Sequence, residues 1–159
     1  MTPWNTLVAS LCLAGATAAG ADTPRLPAQV PKAWRSECAS CHVAYPPGLL
    51  TVPGWQQLMG GLAQHFGTDA SLSAAEVAEI GAFLNQQAAT RSRHDSRANP
   101  PRITQTEWFE RKHREVPRAV WADTRVKTAA NCAACHTRAD ADSYREREIR
   151  VPGLEGKSW

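Results

Sequence analysis

Long apolar runs, strong charge of one sign, strand-like alternation and stray cysteines are all scarce in this sequence. The net charge is +3 over 159 residues, and basic residues are interleaved with acids, as in Arg145-Glu146-Arg147-Glu148-Ile149-Arg150. Such mixing gives no nucleic-acid-binding patch. No segment beyond the N-terminus is apolar enough to cross a bilayer. No stretch alternates long enough to predict a sheet. Five cysteines occur in all. Cys12 lies in the N-terminal apolar stretch, and Cys38, Cys41, Cys132 and Cys135 form two identical pairs.

Leu7 to Ala21 is apolar, rich in small residues and too short to span a membrane. It closes on Ala19-Gly20-Ala21 ahead of Asp22, an A-x-A-like cleavage site. Residues 1–21 therefore read as a secretory signal peptide, although MTPWNT supplies no Lys or Arg. An uncleaved anchor would need a longer apolar run, and bulky Leu11 before Cys12 argues against a lipoprotein site. The mature chain is expected to be exported to the periplasm, without stable membrane insertion. Residues 1–21 hold no Lys, Arg, Asp or Glu, so the +3 charge stays with it.

Pro24, Pro27 and Pro31 mark an extended lead-in. The region 33–43 reads as a short helix, stopped by Tyr45-Pro46-Pro47-Gly48. Trp55 to Phe66 has helical spacing, with Trp55, Leu58, Leu62, His65 and Phe66 on its inward face. Gly60 and Gly61 weaken that helix and would suit close approach to a flat group. Ser73-Ala74-Ala75-Glu76 is a capping box that opens a further helix with Val77, Ile80 and Leu84 on one stripe. Residues 93–103 are polar and proline-bearing and read as a linker between lobes 22–92 and 104–159. Thr104-Gln105-Thr106-Glu107 is a second capping box, opening a helix through Trp108, Phe109 and His113 that ends by Pro117. The expected fold is all-α, in two small lobes.

Each cysteine pair is followed at once by histidine: Cys38-Ala39-Ser40-Cys41-His42 and Cys132-Ala133-Ala134-Cys135-His136. This is the spacing of covalent haem c attachment. Two sulfurs on one turn can form thioethers with the two vinyl groups, and the adjacent histidine projects beneath the porphyrin to bind iron. Zinc could use the four thiolates, but a histidine after both pairs would then be coincidental. A redox CxxC needs a strand–helix setting that is absent. Two covalently bound haems are expected, held by Cys38, Cys41, Cys132 and Cys135, with His42 and His136 on the irons.

The sixth ligands decide the chemistry, since an open iron binds gases or peroxide and a closed one transfers electrons. The candidates are His65, His113, His94 and Met59. His65 lies on an apolar helix face beside Phe66, and His113 follows Trp108 and Phe109. The interval from His42 to His65 equals that from His113 to His136. His94 sits among polar residues and reads as solvated, and Met59 reads as a core residue.

The segments ECASCHVAYPPGLLTVPGW, LAQHFGTDASL, RITQTEWFERKH and NCAACH, with a closing VPG, together resemble the bacterial dihaem cytochrome c family. The resemblance runs from Trp34 to Pro152. It implies two helical lobes, the first similar to a class I cytochrome c. It also implies bis-histidine ligation, by His42 and His65 at the first iron and by His136 and His113 at the second. The implied role is one-electron transfer at low potential, with a small monohaem cytochrome c and a membrane cytochrome b as partners. A haem enzyme or gas-binding protein with one open iron is the competing expectation, and a binding module stapled by haem is a third.

Overall fold

A computed structural model describes residues 26–157. The expected leader, residues 1–21, lies outside the described residues.

Among the described residues five α-helices form: α1 (Lys32–Cys38), α2 (Val52–Gly60), α3 (Ala74–Gln87), α4 (Glu107–Lys112) and α5 (Arg118–Trp121). Short 3-10 turns and irregular chain connect them. Among the described residues only isolated β-bridges occur and no strand forms, so the all-helical expectation holds. No helix among them is long and apolar enough to cross a membrane.

The boundaries follow local chemistry. Pro31 precedes α1, and the helix stops at Cys38, before the first CxxCH motif is complete. α2 ends at Gly60 with Gly61 as its cap, so the single helix expected over 55–66 is broken. A 3-10 turn, Leu62–Gln64, then carries the chain to His65. α3 opens with the expected capping box: Ser73 Oγ accepts from the Glu76 amide at 3.3 Å, and the Ser73 amide donates to the Glu76 carboxylate at 2.9 Å. The expected cap at Thr104 is displaced, because residues 103–105 form a 3-10 turn. Thr106 caps α4 instead, accepting from the Phe109 amide at 3.1 Å.

Three apolar clusters organise the described residues. The first holds Trp34, Ala44, Leu50, Trp55, Ile80, Phe83 and Leu84 from α1, α2, α3 and the loops between. The second joins Leu49 to Trp108 and Phe109 of α4. The third holds Val120, Val126 and Val151. The polar segment between α3 and α4 is tied down: Thr51 Oγ donates to Asp95 at 2.6 Å and Gln57 to Asn99 at 2.6 Å. His94, expected to be solvated, is buried, 7% exposed, and stacks on Trp108 at 5.3 Å. Its polar neighbours in sequence gave no sign of that ring.

The last third of the chain reaches back to the first. Arg35 of α1 donates two hydrogen bonds to the Asp142 carboxylate, at 2.9 and 2.7 Å. Asp142 holds a left-handed φ of 58°. The Arg35 side chain is 40% exposed, so screening by water limits the pair to about 1 kcal/mol or less. Its geometry nonetheless fixes register between α1 and the chain after Cys135.

Ile80 is fully buried. Ile80→Ala is expected to cost about 2–5 kcal/mol and Ser73→Ala about 1 kcal/mol, both measured by denaturant unfolding of the haem-loaded protein.

Candidate functional site

The first CxxCH motif leaves the end of α1 as a bend. Ser40 Oγ donates to the Glu37 carbonyl at 2.8 Å and helps to turn the chain. His42 lies beyond it, and its Nδ1 is 2.8 Å from the Val43 carbonyl. A carbonyl only accepts, so Nδ1 carries the proton and Nε2 keeps its lone pair for a metal. Tyr45 stacks on the imidazole, with ring centres 4.5 Å apart and planes 12° apart.

His65 comes from the turn after α2. Phe66, at φ 52°, and Gly67, at φ 93°, then reverse the chain. A left-handed conformation is unfavourable for phenylalanine. Here the Phe66 ring meets His65 edge-on at 4.9 Å. The His42 and His65 ring centres lie 6.3 Å apart with planes at 28°.

The second motif forms a 3-10 turn over Cys132–Ala134. The His136 amide donates to the Cys132 carbonyl at 2.8 Å, and the Arg150 amide to the Cys135 carbonyl at 2.9 Å. His113 caps the C-terminus of α4, a position at the helix end rather than within it as the sequence suggested. Its Nδ1 donates to the Phe109 carbonyl at 2.8 Å, again leaving Nε2 for a metal. Phe109 stacks on the ring at 3.9 Å and Trp121 lies at 6.0 Å. The His113 and His136 ring centres are 6.1 Å apart with planes at 81°.

The two separations nearly coincide and have a chemical meaning. A metal gripped by Nε2 from both faces sets the ring centres roughly 6 Å apart, with about 2 Å per metal–nitrogen bond and about 1 Å from nitrogen to ring centre. Burial lowers the pKa of His65, with His42 adding to the shift, and lowers that of His113. His136 is pushed down to about 4 by burial, with His113 adding. These rings are neutral at physiological pH, the form a metal binds. Among the described residues no cluster of three or more His, Cys, Asp or Glu could hold a bare ion. The four-thiolate zinc arrangement is thereby absent from them. A pair of imidazoles suits a metal whose remaining positions are filled by a macrocycle.

The thiols agree with attachment. None of Cys38, Cys41, Cys132 and Cys135 is in a disulfide. Cys38 is pushed up to about 11 by burial and by Glu37, and Cys132 to about 11 by burial. A redox dithiol lowers its thiol pKa, so the shift runs against that chemistry. Beside the second pair, the Tyr144 hydroxyl and His136 Nδ1 are buried with no hydrogen-bond partner. Tyr144 lies 5.2 Å from His136. A haem, which carries propionate carboxylates, would supply an acceptor for that phenol.

Sequence reasoning singled out the residues of both His pairs and both Cys pairs, but not their supports. In the sequence Tyr45 reads only as part of a helix stop, and no motif singles out Tyr144. The stack of Phe109 on His113 was detectable only as helical spacing of four. Met59 packs against the first cluster.

Comparison with known proteins fits this geometry. Residues 34–144 match the family described as dihaem cytochrome c. The diheme cytochrome type c of Shewanella baltica OS155 superposes with a TM-score of 0.68 at 33% identity, covering 79% of this chain and 98% of that one. A crystal structure of the Rhodobacter sphaeroides protein gives 0.63 at 38% identity, covering 73% and 98%. A second structure from that organism gives 0.62 at 38% identity, covering 70% and 94%. No curated protein matches. With a family match across most of its length and two CxxCH motifs each facing a second histidine, the chain belongs to the dihaem cytochrome c family and carries two covalently bound haem c groups.

Proposed function

We propose that the chain is a periplasmic electron carrier moving electrons singly, with both irons closed by histidine on each face. Cys38 and Cys41 hold the first haem and Cys132 and Cys135 the second. His42 and His65 ligate the first iron, and His136 and His113 the second. The observation that carries this reading is the separation of the paired rings, 6.3 and 6.1 Å.

Bound at these residues, each haem would supply an iron capable of one-electron chemistry. The chain's task is to keep its ligands still while that happens. Nδ1–H bonds from His42 and His113 to backbone carbonyls fix ring orientation and raise the basicity of the ligating nitrogen. Stacked aromatic rings on both residues resist tilting. Ligands held in this way move little between oxidation states, which keeps reorganisation small. Histidine in place of methionine also lowers the reduction potential.

The exposed Cys41–His42 side of the first motif suits a brief contact with a small monohaem cytochrome c, the kind of small interface that redox encounters use. A membrane cytochrome b is the proposed partner at the other end of the transfer.

The reduced protein is expected to bind no carbon monoxide at neutral pH, followed by its visible absorption spectrum. Rapid binding at either haem would favour the open-iron reading instead. His65→Ala and His113→Ala, made singly, should each open one iron to carbon monoxide and leave the other closed. Replacing Cys132 and Cys135 together by alanine should halve the haem that stays bound through acid acetone extraction.

A further inference from the structure

Tyr45 touches both haem sites. Its ring lies flat on His42 at 4.5 Å. Its hydroxyl donates to the Ala130 carbonyl at 2.6 Å, across 85 positions of sequence. Ala130 is two residues before Cys132, and the Ala130 carbonyl also accepts from the Cys132 amide at 3.0 Å. Tyr45 and Ile103 are the partly buried residues, among those described, that pack against both the first and the second apolar clusters. Buried Ala44 and the fully buried Pro46 and Pro47 flank the tyrosine and leave its backbone little freedom. A contiguous route thus runs from the His42 ring through the phenol and one hydrogen bond to the peptide leading into Cys132.

We propose that Tyr45 is a positioning residue for electron exchange between the two haems, locking His42 against the chain that carries Cys132. The inference rests on His42 ligating the first iron. In the exchange, one iron loses the electron that the other gains, and the phenol keeps its proton throughout. Burial raises the tyrosine pKa well above its ordinary value, consistent with a neutral strut. A hydrogen bond couples two groups far better than the gap left by its removal, and it also holds their distance.

Tyr45→Phe keeps the ring on His42 and removes only the tie to Ala130. Tyr45→Leu removes both. Both proteins, loaded with haem, would be reduced by a short radiolytic pulse and the redistribution of the electron between haems followed optically. Tyr45→Phe should slow redistribution several-fold while leaving the first haem's potential in place. Tyr45→Leu should slow it at least as much and also shift that potential. Unchanged redistribution in Tyr45→Phe, with low-spin spectra intact, overturns the proposal. A high-spin first haem in the unaltered protein instead overturns the ligation on which it rests. Should the variants fail to take up haem, proton NMR of the unaltered protein decides. The Tyr45 hydroxyl proton should exchange slowly and shift on reduction of either haem. A hydroxyl exchanging freely with water overturns the proposal.

Discussion

Two pairs of imidazoles, each with ring centres about 6 Å apart, form the constraint on which the rest of this molecule depends. Such a gap does not hold itself. Left alone, two polar rings would close on each other or turn to water. Here each pair has one ring anchored through Nδ1 to a backbone carbonyl and pressed by an aromatic neighbour. The facing ring arrives from a different segment: a turn after α2 in the first pair, the second CxxCH motif in the other. The remaining architecture serves to deliver these rings.

That burden explains the sparse secondary structure. Among the described residues the longest helix has 14 residues, and the others have between 4 and 9. Helices this short are marginal unless tertiary packing supports them. Among the described residues the three apolar clusters are small, and two contain only three buried residues each. A chain of this size gains little from side-chain burial alone. Two covalently held macrocycles supply the missing apolar mass, so cofactor attachment and folding are coupled here as metal binding and folding are in small metalloproteins. The Arg35–Asp142 pair and the Tyr45–Ala130 bond join the segments that bear the first CxxCH motif to those that bear the second.

The chemistry was more legible in the sequence than the fold. CxxCH encodes attachment locally, because thioether spacing and the adjacent ligand lie within one turn. His65 stands out on an apolar helix face beside Phe66, and His113 because it follows Trp108 and Phe109, although it lies in the basic run Arg111-Lys112-His113-Arg114. Helix boundaries were less legible. The break at Gly61 and the cap at Thr106 depend on which of several competent residues wins locally, and tertiary packing decides that. His94 was misread because its burial comes from Trp108, fourteen positions on. The Tyr45 hydroxyl bond to Ala130 spans 85 positions and Tyr144 meets His136 eight positions back, and no local pattern in the sequence encodes either contact.

Electron paramagnetic resonance of the fully oxidised protein tests the facing-imidazole geometry most directly. Iron held by imidazole on both sides is low-spin when ferric. The account predicts low-spin signals alone, integrating to both irons, and of unequal shape because the ring planes meet at 28° in one pair and 81° in the other. A high-spin signal from either iron would contradict it.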